Sequence, residues 1–237
     1  MLDNFVFENP QWFWLFLIMP VLIAWSIIKR GKQTAELKIS TIKGFKVKQS
    51  WLVKIRQLLF VLRLLALAFL ITAMARGAFE YQGQKCSAAS RCYLPENVWN
   101  DIKDDYISDI DSIKMGDVED FTNFMNAVID EASFDNIVSY IEHAKQANDA
   151  TIITGGGYDK SKGYFVEPTT ILTTNPHYKS MEEEIFGPVL TIYIYNESWE
   201  DVCKLVDSTS PYALTGAIFS DDEEAINQGR KFLMHSA

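Results

Sequence analysis

Hydrophobic and polar positions change rhythm along the chain. From Pro10 to Ile28 the stretch "PQWFWLFLIMPVLIAWSII" runs 19 residues without a charge, close to the ~20 that a helix needs to cross a bilayer core. Trp12 and Trp14 stand at one end and Trp25 near the other, where interfacial aromatics belong, and Pro20 is tolerated inside a span. The pattern predicts a transmembrane helix over 10–28. A signal peptide fits less well: Asp3 and Glu8 lead in without a Lys or Arg, and no small-residue cleavage site follows. The second run, "QLLFVLRLLALAFLITAMA" from Gln57 to Ala75, is also 19 residues long and holds one charge, Arg63, which can snorkel to the near interface. It predicts a second span over 57–75. A buried helix of a soluble core and an internal cleavage after "AMA" are the rival readings, and apolarity on every face favours the span.

After Gly77 helical and strand periods alternate. "NVWNDIKDDYISDIDSI" sets Val98, Ile102, Tyr106, Ile110 and Ile113 on one helical face, and "ASFDNIVSYIEHAKQAN" repeats the spacing through Ile137, Ile141 and Ala144. "TIIT" (151–154) reads as a short strand stopped by three glycines, and "VLTIYIY" (189–195) as a β-branched and aromatic strand. Two later helices are announced by capping boxes, Ser198 with Asp201 and Ser220 with Glu223. Interleaved helices and strands predict an α/β layer structure.

Charge divides the chain at the same place. Residues 1–76 carry 11 Lys+Arg against 3 Asp+Glu, so they stand at +8 in a chain of net charge −9, and residues 77–237 at −17. The segment 29–56 holds nine basic residues against the single Glu36. By the positive-inside rule it is cytoplasmic, which puts the N-terminus and residues 77–237 on the outer side of the membrane. The acidic second part has no basic patch of the kind that binds nucleic acid, so the bilayer, met through 10–28 and 57–75, is the partner this reading supplies.

All three cysteines lie in the second part. Cys203, in "EDVCKLVDS", falls on the apolar side of a helix and reads as a small buried hydrophobe. Cys92, in "RCYLP", reads as structural on a strand. Cys86 and Cys92 are six apart with no second pair, so no zinc site is supported and no metal is expected. Cys86 sits in "QGQKCSAAS", where Gly83 and small residues permit close approach and Lys85 could favour a thiolate. On spacing alone a structural thiol and a nucleophile are equally good readings of it.

Two resemblances sharpen this picture. "ENPQWFWLFLIMPVLIAWSIIKRGKQTAELKISTIKGFK" with "SWLVKIRQLLFVLRLLALAFLITAMAR", residues 1–76, resembles the membrane anchor of BatA-type aerotolerance proteins. The D-x-S-x-S metal motif that follows in that family does not occur here. "FEYQGQKCSAASR" resembles the catalytic-cysteine segment of aldehyde dehydrogenases, in particular the L-glutamate γ-semialdehyde (1-pyrroline-5-carboxylate) dehydrogenases of proline breakdown. "TGGGYDKSKGYFVEPTTI" (154–171), "MEEEIFGPVLTIYIY" (181–195) and "SPYALTGAIFS" (210–220) agree with it in order and spacing. The chain is thereby identified as a two-helix anchor (1–76) joined to an incomplete aldehyde-dehydrogenase catalytic lobe (77–237), an apparent chimera.

The resemblance implies a chemistry. Cys86 as thiolate attacks a small-molecule aldehyde, NAD takes the hydride, and the thioester is hydrolysed to L-glutamate. It implies that Glu184 hydrogen-bonds the nicotinamide ribose and that Phe186 packs beside it, while Glu182 and Glu183 remain a solvated acidic run. It also implies an inactive chain. The family's dinucleotide-binding domain, oxyanion asparagine and general-base glutamate precede the cysteine, where this chain has two apolar runs and a basic segment; the family's substrate-carboxylate loop and oligomerisation strand would follow Ala237. "TGGGYD" lacks the G-x-G-x-x-G spacing of a phosphate loop. The parent family is cytoplasmic or of the mitochondrial matrix, whereas the anchor implies a two-pass membrane protein. The alternative function is a non-enzymatic, membrane-anchored chimera.

Overall fold

The computed structural model describes residues 51–211 and 214–234. The expected span 10–28 and most of the basic segment lie outside these residues. Two compact units divide the chain, Met1–Trp51 and Leu52–Ala237, and all of the described residues except Trp51 belong to the second.

The first element is α1, Trp51–Phe79, 29 residues rich in Leu and Ala, good helix formers that carry the backbone about 43 Å at 1.5 Å per residue. The helix runs through Arg76 and Gly77 without a break, so the change of composition there has no counterpart in the backbone. An isolated glycine costs a helix only about 1 kcal/mol, and Ala78 and Phe79 continue it into the core, at 1% and 0% exposure. Within α1 and the turn after it, Val61–Gly83 is long and apolar enough to cross a membrane, with hydropathy 1.7 and 19% of an 18-residue window of it buried. The expected span 57–75 therefore falls on a helix, of which a minor part is covered by the lobe.

The rest is layered. β1 (Arg91–Pro95), α2 (Glu96–Asp111), α3 (Glu131–Gln146), β2 (Ala150–Thr154), β3 (Tyr158–Asp159), β4 (Phe165–Val166), β5 (Thr169–Thr173), α4 (Lys179–Glu182), β6 (Val189–Tyr195), α5 (Trp199–Thr209) and α6 (Glu223–Phe232) come next, in that order. The main sheet runs β1-β6-β5-β2, and β3 pairs with β4 in a hairpin. β1 and β6 are parallel with Cys92 opposite Ile192, β5 and β6 are parallel, and β2 is antiparallel to β5.

Because successive strand residues point to opposite faces, each strand feeds two cores. Leu190 and Ile192 of β6, with Leu94 of β1, meet Ile71, Met74 and Phe79 of α1 and Trp99, Ile102 and Tyr106 of α2. Val189 and Tyr193 of β6, with Ile171 of β5, meet Phe134, Ile137 and Ile141 of α3. Helices thus cover both faces of the sheet. Two pairs of buried hydroxyls meet between the elements, Tyr106 with Thr170 and Ser180 with Thr191, each at 2.7 Å.

Several expectations shift by a residue or two. On α2 the buried positions are Trp99, Ile102, Tyr106 and Ile110; Val98 and Ile113 are only partly covered, because the face winds past them at 3.6 residues per turn. Ser198 caps α5 as expected, accepting from the Asp201 N–H. The last helix starts at Glu223 on Asp222, which accepts from the Glu224 N–H, and Ser220 instead accepts from Asp222 N. β5 has the β-branched composition of a strand but no polar–apolar alternation, its sequence being Thr-Thr-Ile-Leu-Thr. Both its faces are covered, so it needs none.

Candidate active site

The cysteine segment follows α1 through a tight 3-10 turn, Glu80–Gly83. Tyr81, Gln82 and Gly83 lie in succession at φ 53°, 58° and 65°. Left-handed backbone costs roughly 1–2 kcal/mol for each residue with a Cβ, so it persists only where its surroundings over-determine it. Gly83 shows how: a Cβ there would collide with the Gly187 carbonyl and crowd the Ala78 carbonyl. Only glycine lets the end of α1, the cysteine turn and the loop before β6 pass so close. The turn closes with the Ala88 N–H donating to Lys85 O at 3.1 Å and Ala89 N–H to Gly77 O at 3.0 Å.

Topology brings the second half of the site to this turn. Parallel neighbours enter a sheet from the same end, so the segments preceding β1 and β6 must emerge side by side. Cys86 stands five residues before β1, and Glu184 and Phe186 stand five and three before β6. All three line one cleft of about 390 Å³. Every sequence-predicted site residue is thus in one place. Phe186 is itself left-handed, at φ 58°, with 43% of its surface exposed, and a strained, exposed aromatic at a cleft is a mark of functional sites. Behind it Gly187 packs so tightly on Ile137 of α3 that a Cβ would strike that side chain.

The three thiols separate by environment. Cys86 is exposed, in the cleft. Cys92 points from β1 toward the α1–α2 core, and burial pushes its thiol up to about 12. Cys203 is buried on α5, and burial raises its thiol as well. Desolvation disfavours the thiolate of Cys92 and Cys203, which leaves the exposed Cys86 as the reactive candidate. Lys85 lines the same cleft, yet its ammonium pairs with Glu80 at 2.8 Å and lies over the Tyr81 ring, which spends much of its charge locally.

Sequence alone leaves part of the cleft unread. Glu183, expected as plain acidic surface, lines it and accepts the Tyr140 hydroxyl at 2.5 Å. Glu182 holds His177 Nδ1 at 2.9 Å. Arg91 lines the cleft and donates to Met181 O at 3.3 Å, and Ser210, also in the lining, donates to Glu182 O at 2.7 Å. "SPYALTGAIFS" is the available signal for Ser210 and the end of "FEYQGQKCSAASR" for Arg91, though neither block says what the side chain bonds. The glycine run 155–157 joins β2 to the β3–β4 hairpin and leads into no helix. Its Gly156 and Gly157 N–H groups donate to Thr169 and Glu167 side chains, so the run serves the fold and not a phosphate.

Known proteins resemble this chain in sequence and fold. Residues 57–233 match the aldehyde dehydrogenase family and residues 1–76 match the aerotolerance regulator N-terminal family. The mitochondrial Delta-1-pyrroline-5-carboxylate dehydrogenase of Dictyostelium discoideum is 60% identical over 163 residues, covering 68% of this chain and 29% of the relative. Its Danio rerio counterpart is 52% identical over 169 residues, covering 70% and 30%. The crystal structure of the Mycobacterium tuberculosis Delta-pyrroline-5-carboxylate dehydrogenase bound with NAD superposes with a TM-score of 0.65 at 40% identity, covering 70% of this chain and 30% of that one. The chain therefore spans about a third or less of the length of these relatives. With residues 57–233, well over half of its length, matched by that family, the chain belongs to the aldehyde dehydrogenase family.

Proposed function

We propose that the lobe carries the thiol half of an NAD-dependent oxidation of L-glutamate γ-semialdehyde, and that this chain alone does not complete the oxidation. The observation that carries the reading is the exposed Cys86 sharing one cleft with Glu184 and Phe186, while Cys92 is half-buried against the α1–α2 core and Cys203 is buried. Cys86 as thiolate adds to the aldehyde carbon; the carbon–sulfur bond forms as the carbonyl π pair moves to oxygen, which takes up a proton. NAD, when bound, supplies the hydride acceptor. On this lobe Glu184 and Phe186 would hold its nicotinamide ribose. Among the described residues no glycine loop opens a helix to cradle the pyrophosphate, so the fit extends to one end of the cofactor.

The losses implied ahead of Cys86 are large. An oxyanion donor is worth ~10²–10³ in rate and a general base ~10²–10⁴, and residues 1–85 of this sequence hold apolar runs and a basic segment where the family carries both. The test uses the full chain in detergent micelles with L-glutamate γ-semialdehyde and NAD. Aldehyde should shield Cys86 from iodoacetamide, read by peptide mass spectrometry, without NADH appearing. NADH production that Cys86→Ser abolishes would overturn the inactivity, and an unshielded Cys86 would overturn its role as nucleophile.

A second reading concerns location. The match of residues 1–76 to an aerotolerance anchor and the apolar stretch Val61–Gly83 favour a two-pass membrane protein with residues 77–237 outside the cytoplasm, where free NAD is not expected. External protease on intact cells should digest the lobe; full protection would sink that topology.

A further inference from the structure

We propose that Gln84 is a positioning residue for Cys86: its side-chain carbonyl oxygen, accepting the Ile129 N–H at 2.8 Å, ties the cysteine turn to the segment that leads into α3. This assignment rests on Cys86 being the lobe's nucleophile.

Backbone hydrogen bonds anchor the far end of the turn, from Ala89 N to Gly77 O of α1 and from Thr191 N of β6 to Ser90 O. Between Tyr81 and Ala88 they are local, from Gln84 N to Tyr81 O and Ala88 N to Lys85 O, and leave the stretch that carries the thiol to side-chain ties. Tyr81 and Gln82 sit in left-handed backbone that neither side chain favours. Gly83 gives contact with Gly187, but a steric stop limits approach in one direction only. A hydrogen bond to a rigid post resists movement in the other.

Residues 126–129 are that post. Met125 and Val128 are buried at 0% and 3% exposure, and the Val128 N–H donates to Tyr164 O at 2.8 Å. Asp130 then caps α3 by accepting from Ser133 N. The intervening Asn126 and Ile129 N–H groups are met by two glutamines of the turn. Gln84 accepts from Ile129 N; Gln82, with its amide set as the surrounding donors and acceptors require, accepts from Asn126 N at 2.7 Å and donates to Tyr81 O at 2.8 Å. Two side chains in the strained bend thus do the work of a strand partner, and the one nearer the thiol is Gln84. The bland alternative is that Gln84 merely satisfies a surface N–H that water would serve as well, since Ile129 is 79% exposed.

The two readings part in one experiment on the full chain in micelles, with hydrogen exchange over residues 80–91 and aldehyde shielding of Cys86 measured together. Gln84→Leu removes the acceptor and Gln84→Asn leaves it a methylene short. Each should speed exchange in the turn about three- to tenfold, as loss of one modest hydrogen bond does, and weaken aldehyde shielding at least as much, with Cys203 still unlabelled as the sign of an intact fold. Gln84→Glu keeps an acceptor at the same reach and should restore slow exchange, with alkylation of Cys86 moved to higher pH by the added charge. Unchanged exchange in both Gln84→Leu and Gln84→Asn, or Gln84→Glu behaving like Gln84→Leu, would overturn the assignment. If aldehyde fails to shield Cys86 in the unaltered chain, the dehydrogenase reading fails on its own, while exchange still decides whether Gln84 ties the turn.

Discussion

Helices α1 and α3 both lend a stripe to a core, but only α3 encodes where it must lie. α3 buries Phe134, Ile137, Tyr140, Ile141 and Ala144, exposes charged residues opposite, and has Asp130 as its cap and His143 and Lys145 in its last turn. α1 buries Ile71, Met74, Ala78 and Phe79 yet leaves Leu62, Leu64 and Phe69 exposed at 49%, 37% and 70%. An amphipathic helix has one stable seat; a helix that is apolar all round is content in a protein core or in lipid. Residues 57–76 are matched by both families, and this double claim has a physical basis. Ile71 and Met74 lie inside the expected span 57–75 and also inside the lobe's core. They cannot serve both at once, because α2 beside them bears exposed Asp101, Lys103, Asp104 and Asp105, which hydrocarbon would not admit.

The contrast can be broken most forcefully at α3. Ile137→Ala removes a fully buried side chain that packs on Gly187 and should cost about 3 kcal/mol, by chemical denaturation, equally in micelles and in lipid vesicles. An effect that depended on lipid would mean that α3 is not the fixed partner. Met74→Ala should be smaller and conditional. In micelles, with α1 docked, it should cost about 2 kcal/mol; in vesicles, with the span inserted, the cost should vanish. A cost that persists undiminished in vesicles would show that the lobe keeps the helix.

The smallest effect separates the two helix starts by pH. The Ser133 N–H holds the Asp130 carboxyl below its ordinary pKa. A depressed folded-state pKa gives stability that is present above the unfolded value and lost as pH falls through the folded one. Asp130→Ala should therefore lower the melting midpoint slightly at neutral pH, and the difference from the parent chain should disappear in acid. α1 has no acidic residue in its first turn and has no such limb. Arg63→Ala, which breaks the exposed pair with Asp101 at 3.7 Å, should change the midpoint by less than the assay's scatter. A large loss there would mean that α1 is seated by charge and not by Ile71 and Met74.

Local signals in the sequence carry far where chemistry and periodicity coincide. β6 spans the predicted 189–195, α3 buries Ile137, Ile141 and Ala144 as its period requires, and Ser198 caps α5. The resemblance singles out Cys86, Glu184 and Phe186, which share a cleft. The partners of Arg91, Glu183 and Gln84 are illegible although all three residues lie in the quoted blocks, since each bond joins segments distant in sequence that meet only in the fold. The last helix begins two residues later than its capping box suggests, because Ser220 and Asp222 are equally good caps by composition and only the backbone chooses between them.

Residue order alone determined the two apolar runs, the charge step at Arg76, the alternation of helices and strands and the cysteine segment, because each is a property of neighbouring residues. Tertiary structure decided that Arg76 and Gly77 lie inside one helix, that Ile71 and Met74 complete the lobe's core, and that Cys86 shares a cleft with Glu184 and Phe186. The last two depend on the parallel pairing of β1 with β6 across about a hundred residues, a contact whose register is set by how two faces of one sheet fill and not by any local pattern.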